Sequence, residues 1–218
     1  MRLLDELRLR RLLAIVRGTD PAAALRTVAA LAEEGARLVE VSLTTPQALD
    51  VISKARAELG AAAMVGAGTV ITADDAAAAA DAGAEFMVTP GIAPGLRAAR
   101  ERGLPLLAGA LTPTEVVRAT LEGAEAVKLF PASLGSPAAG PRPGVRYLRS
   151  LLDPFPGTAF VPVGGIDADA AREYLAAGAV AVGVGSPLIG DAASGGSLDD
   201  LRRRARHFLD AVKSGERP

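Results

Sequence analysis

Short apolar runs of about five residues alternate along this chain with longer stretches in which apolar side chains recur every three or four positions. Leu12 to Val16 is the first such run; it ends in Arg17-Gly18 and reads as a buried strand. Thr19 or Asp20 followed by Pro21 is a helix-start signal, a capping side chain and then proline in the first turn. The Ala- and Leu-rich segment that follows runs to Glu34, where Gly35 stops it. The same signals then repeat. Strands are predicted at Leu38 to Leu43, Met64 to Val70, Phe86 to Thr89, Pro105 to Leu111, Ala126 to Phe130, Ala159 to Val163 and Val180 to Val184. Helices lie between them, opened by Pro46, Thr72, Pro94, Thr112-Pro113 and Val145, with Gly60, Gly83, Gly123 and Gly178 as stops. A short amphipathic helix over residues 2–10 precedes the first strand. The longest irregular piece runs from Pro131 to Gly144, and a charged helix from about Leu198 to Val212 finishes the chain.

Eight strand–helix units with mostly apolar strands are the signature of an all-parallel sheet covered by helices. Eight such units close into a (β/α)8 TIM barrel, here with a short N-terminal helix, as a single domain over residues 1–218. A doubly wound open sheet is the structural alternative, but its first-turn dinucleotide fingerprint is missing. Gly66-Ala67-Gly68 matches only half of it and belongs to the third strand.

Composition narrows the chemistry. Half the residues are hydrophobic and only 3% are aromatic, so Leu, Val, Ile and Ala fill the interior. A net charge of -1 gives no general electrostatic reason to bind nucleic acid or an anionic membrane. With no Cys and His207 as the sole histidine, disulfides, thiolate metal sites, a cysteine nucleophile and a multi-histidine metal site drop out. The first residues mix both charge signs, unlike a signal peptide, and no run approaches a membrane span, so a cytoplasmic protein is expected. Arg202, Arg203 and Arg204 of the last helix read as a solvated face.

Two charges break the apolar pattern. The chain has only three lysines; Lys54 and Lys213 lie among charged residues, but Lys128 sits between Val127 and Leu129, just before Phe130-Pro131. An ammonium there opposes folding unless it is paired, hydrated or neutral. It is either a desolvated nucleophile toward a carbonyl or an edge-strand lysine guarding against aggregation. A barrel has no sheet edge, which removes the second explanation. Glu40, in phase with Leu38 and Ser42 along its strand, is the other anomaly. It is a structural ion-pair partner for Lys128 or one of two groups whose pKa values the site shifts for catalysis. Active sites of such barrels lie at the C-terminal strand ends, often with a phosphate held after the seventh and eighth strands. Gly164-Gly165 and Gly185-Ser186 stand there, and a short helix from about Pro187 would aim its N-terminus at an anion; plain turn glycines are the competing reading. Arg17 suits a carboxylate or the surface, and Thr69 and Thr89 suit a substrate oxygen or a strand end.

Together Ala14-Ile15-Val16-Arg17-Gly18, Val39-Glu40-Val41, Val65 to Val70, Val88-Thr89-Pro90, Lys128 to Pro131, Pro162 to Gly165 and Val184-Gly185-Ser186 resemble the 2-keto-3-deoxy-6-phosphogluconate aldolases, a family that includes the 4-hydroxy-2-oxoglutarate aldolases. The resemblance runs over nearly the whole chain. It implies a class I lyase on a (β/α)8 barrel, with no metal or other cofactor, a small 2-keto acid phosphate as substrate, and a homotrimer. It matches Lys128 to the Schiff-base lysine and Glu40 to the acid/base. Thr69, Pro90 and Phe130 would line the pyruvate end, and Gly164, Gly165, Gly185 and Ser186 the phosphate end. Some members carry an arginine shortly after the glutamate strand; Thr44 stands there in this chain, and the resemblance then assigns the carboxylate to Arg17. Relatives specific for the galactonate epimer share that arrangement.

Overall fold

The computed structural model describes residues 3–133 and 142–213. Its eight strands are β1 (Leu12–Val16), β2 (Leu38–Ser42), β3 (Met64–Gly68), β4 (Met87–Val88), β5 (Leu106–Ala110), β6 (Ala126–Leu129), β7 (Phe160–Pro162) and β8 (Val182–Val184). All pair in parallel in the order β7-β6-β5-β4-β3-β2-β1-β8. A parallel bridge between Val163 and Gly183 and a hydrogen bond from the Val180 N–H to the Phe160 carbonyl join the two ends. The sheet is a (β/α)8 barrel.

The helices are α1 (Leu3–Arg10), α2 (Pro21–Glu33), α3 (Ala48–Leu59), α4 (Ala73–Asp81), α5 (Pro94–Glu101), α6 (Pro113–Leu121), α7 (Pro143–Leu152), α8 (Ala168–Ala176), the one-turn α9 (Ser186–Ile189) and α10 (Leu198–Lys213). None is long and apolar enough to cross a membrane. Capping fixes the rim from which they start. The Asp20 carboxylate accepts from the Ala22 and Ala23 N–H groups, and Thr72 with Asp75 and Thr112 with Glu115 form reciprocal capping boxes. One expected start moves: Pro46 does not open α3, because Gln47 takes a left-handed conformation and the helix begins at Ala48. The irregular segment before α7 falls mostly outside the described residues.

Alternation along the strands sorts the core into two sets. Leu12, Ala14, Val16, Val39 and Val41 face outward under the helices. Leu13, Ile15, Leu38, Met64, Phe86, Val88, Leu107, Ala126 and Val161 fill the barrel, and Leu3 and Leu7 of α1 pack onto them. The N-terminal helix is thus the plug of the barrel floor. Above that apolar floor, the same inward phase continues to Glu40, Ser42, Gly68, Gly109 and Lys128, where the site begins.

Candidate active site

β2 and β6 stand four strands apart in an eight-stranded barrel, so their inward side chains face each other across its axis. That places Glu40 opposite Lys128. Both are buried, at 1% and 6% exposure. Glycines make the room. A Cβ on Gly68, paired with Ser42 on β2, would lie 1.8 Å from the Glu40 Oε1, and one on Gly66 would strike the Phe86 ring. Gly109 pairs with Lys128, and a Cβ there would lie 2.2 Å from the Pro90 carbonyl carbon. The Gly66-Ala67-Gly68 run therefore serves internal packing, with no nucleotide in prospect.

Neither Glu40 oxygen accepts a hydrogen bond among the described residues. The expected pairing with Lys128 is electrostatic, across the axis. Burial pushes the Glu40 carboxyl above the ordinary carboxylate range, while the charges of Lys128 and then Arg17 pull it back. The Lys128 Nζ lies 5.3 Å from the centroid of the Phe130 ring, within cation–π reach. Phe130, two residues on in the same phase, is 38% exposed and forms part of the cavity wall.

A cavity of about 500 Å³ opens above the lysine at the C-terminal strand ends. Arg17, Thr69, Pro90, Lys128, Phe130, Gly164, Gly165, Gly185 and Ser186 all line it, so nine of the sequence candidates meet in one place. Glu40 lies outside that lining. Gly164 and Gly165 hold φ of 106° and 67°, a region closed to most side chains, so this turn needs glycine and exposes bare backbone. α9 begins at Ser186, one residue earlier than expected, and makes a single turn, too short for a sizeable helix dipole. Anion recognition there would rest on backbone N–H groups and the Ser186 hydroxyl.

Two readings are settled by the structure and one residue had been passed over. Thr89 is fully buried and its hydroxyl accepts from the Gly109 N–H at 3.2 Å, which makes it a structural tie. Arg204 is not on a solvated face: its Nε and Nη2 donate to the Leu188 and Ile189 carbonyls at 2.7 and 2.8 Å, tying α10 to the end of α9. Ser42 escaped notice, because a serine in a strand carries no signal of its own. Its fully buried hydroxyl meets the Thr69 and Thr44 hydroxyls at 2.9 and 2.8 Å and the Arg17 Nε at 3.4 Å.

Comparison with known proteins agrees with this geometry. The family model for KDPG and KHG aldolases matches residues 3–201. A probable 2-dehydro-3-deoxy-6-phosphogalactonate aldolase of Rhizobium meliloti is 35% identical over 212 residues, 95% of each chain. A KHG/KDPG aldolase of Escherichia coli K12 is 36% identical over 186 residues, 84% of each chain. A solved structure of the Legionella pneumophila KDPG aldolase, with pyruvate captured at low pH as a covalent carbinolamine intermediate, superposes with a TM-score of 0.78 at 25% identity over 98% of each chain. A buried lysine facing a buried acid beneath a strand-end cavity, on a barrel matched along nearly its whole length, lead to one conclusion: this chain belongs to the KDPG and KHG aldolase family and is an aldolase, a carbon–carbon lyase.

Proposed function

We infer that the chain is a Schiff-base aldolase that cleaves 2-keto-3-deoxy-6-phosphogluconate to pyruvate and glyceraldehyde 3-phosphate, and also acts on 4-hydroxy-2-oxoglutarate. The observation that carries this reading is the buried Lys128 at the cavity wall, facing an acid whose burial favours the protonated form. The neutral amine of Lys128 attacks the C2 ketone; the protonated Glu40 carboxyl, directly or through water, gives its proton to the departing hydroxyl, and loss of water leaves a protonated imine and a Glu40 carboxylate. The C3–C4 bond then breaks with its electrons drawn into that imine. Glu40, directly or through water, takes the proton of the C4 hydroxyl as the aldehyde departs. The enamine is protonated at C3, and hydrolysis frees pyruvate and the amine. An acid whose pKa burial raises is suited to give up and take back a proton in turn. Arg17 would hold the substrate carboxylate, and the turns at Gly164-Gly165 and Gly185-Ser186 the phosphate. The carbinolamine captured in the Legionella relative supports the covalent route.

The galactonate epimer is the second reading. It is favoured by Thr44 standing where some relatives carry arginine, by Arg17 in the cavity wall, and by the coverage of the Rhizobium relative. A coupled assay of pyruvate release from both epimers and from 4-hydroxy-2-oxoglutarate tests the assignment. Faster release from the gluconate epimer is expected. Faster release from the galactonate epimer moves the substrate, and release from none, with sugar phosphate still bound, favours an imine-free phosphate-binding isomerase or synthase. A homotrimer belongs to the same proposal, checked by sedimentation equilibrium.

A further inference from the structure

Four groups converge on the Ser42 hydroxyl. The Thr44 and Thr69 hydroxyls approach to 2.8 and 2.9 Å, and the Arg17 Nε–H and the Thr44 N–H both donate at 3.4 Å. A serine hydroxyl has one proton to give and two lone pairs, so the two N–H groups at 3.4 Å share the lone pair that the short contacts leave free. Ser42 is therefore the donor in at most one of the two short contacts, and a threonine must donate in the other. If both threonines donated, the Ser42 proton would be stranded in a fully buried position. The hydroxyls thus form a directional chain.

Its ends differ. Thr44 is exposed, so its oxygen is open to water, whereas Thr69 lines the cavity. An anion at Thr69 needs a donated proton, which orders the chain from Thr44 to Ser42 to Thr69 to the anion. Each hydrogen bond in such a chain polarises the next. Thr69 is held at φ 61°, a left-handed conformation rare for a β-branched residue and of the kind found at ligand clamps. The contact to Ser42 engages only the Nε of Arg17, leaving its terminal nitrogens without an ion pair among the described residues.

We propose that Ser42 is a positioning residue for carboxylate recognition: its buried hydroxyl passes hydrogen-bond polarity from Thr44 to Thr69 and steadies Arg17, so that both present donors to the carboxylate of a 2-keto acid. The proposal rests on the aldolase reading for its ligand. Calorimetric titration with pyruvate measures it without needing catalysis. Ser42→Ala weakens pyruvate binding about five- to tenfold, the worth of one well-placed hydrogen bond. Ser42→Thr, which restores the hydroxyl, binds closer to wild type than Ser42→Ala does. Thr44→Val, isosteric and exposed, weakens binding about two- to threefold. In condensation at saturating pyruvate, half-saturation by glyceraldehyde 3-phosphate stays unchanged in all three. A folded Ser42→Ala with wild-type pyruvate affinity, or one weakened equally toward pyruvate and aldehyde, overturns the proposal. Where Ser42→Ala does not fold, unchanged pyruvate affinity in Thr44→Val overturns it. A wild type that binds pyruvate but gives no borohydride adduct refutes the imine alone and leaves the Ser42 comparison standing, whereas one that binds no pyruvate refutes both.

Discussion

The two ends of the barrel interior are built from the same eight strands and the same inward phase, yet they solve opposite problems. At the floor, Leu3 and Leu7 close onto Leu13, Leu38, Met64, Phe86 and Leu107, all apolar. Two residues further along the strands, the interior holds Glu40 without a hydrogen-bond partner among the described residues, Lys128 beneath an aromatic ring, and glycines where side chains would otherwise fill the space. The floor gains free energy by excluding water from hydrocarbon. The upper layer gives some of it up by burying charge. Stability and chemistry are thus separated along the barrel axis by a few ångströms, and substitutions at the two ends are expected to separate in the same way.

The largest effect belongs to the upper end. Lys128→Met, close in shape and without the amine, should lower cleavage by on the order of 10⁴-fold or more. Its thermal stability should match or exceed wild type, because a buried polar nitrogen leaves an apolar site. Steady-state assay and calorimetry of one preparation check both halves. Glu40→Gln comes next, with cleavage down by about 10²–10⁴-fold, as for the loss of a general acid/base, while imine formation with pyruvate persists in part. Unchanged turnover would remove Glu40 from the mechanism. The mirror experiment is Leu7→Ala at the floor, expected to lower unfolding free energy by about 2–5 kcal/mol with kcat and KM near wild type below its melting transition. A Leu7→Ala enzyme that folds well but binds substrate poorly would dissolve the division.

Glu40 also carries a pH signature. Its pKa in the folded chain lies above the 4.5 of an unperturbed glutamate, chiefly through burial. Above that value the unfolded chain releases the proton while the native chain keeps it, so the group's contribution to stability falls as pH rises. The loss levels off once Glu40 ionises in the native state. Glu40→Gln removes this dependence, so its stability relative to wild type should rise with pH from about 4.5 upward until Glu40 ionises in the native state. An advantage that shrinks with rising pH would reverse the assignment. The smallest effect is Thr69→Gly. It relieves the left-handed backbone by about 1 kcal/mol or less, while pyruvate affinity falls through loss of the hydroxyl.

The division also separates what the sequence made legible from what it hid. Strand phase and helix caps are local signals, so the eight units and the inward positions of Glu40 and Lys128 could be read directly, as could the glycine turns after β7 and β8. Properties that depend on neighbouring strands could not. Ser42 acts through Thr69 on β3's trailing loop and Arg17 after β1, and nothing in its own segment marks it. Gly68 offered half of a nucleotide fingerprint and no reason of its own to be glycine, because the Glu40 side chain it accommodates comes from the adjacent strand. Arg204 looked solvated because the carbonyls it binds end a different helix. Thr89 and Thr69 are alike as strand-end threonines; only the fold turns one toward the Gly109 N–H and the other toward the cavity. Pairing of Glu40 with Lys128 was legible in kind, but not that they would interact across the axis without a hydrogen bond.

The central claim is that the buried amine at the upper end is the nucleophile. Incubation with pyruvate and borohydride, followed by mass analysis of the digested chain, tests it directly. The account requires a stable reduced pyruvyl adduct on the peptide containing Lys128, absent from the peptides of Lys54 and Lys213. A chain that turns over substrate yet yields no adduct at Lys128 would contradict it.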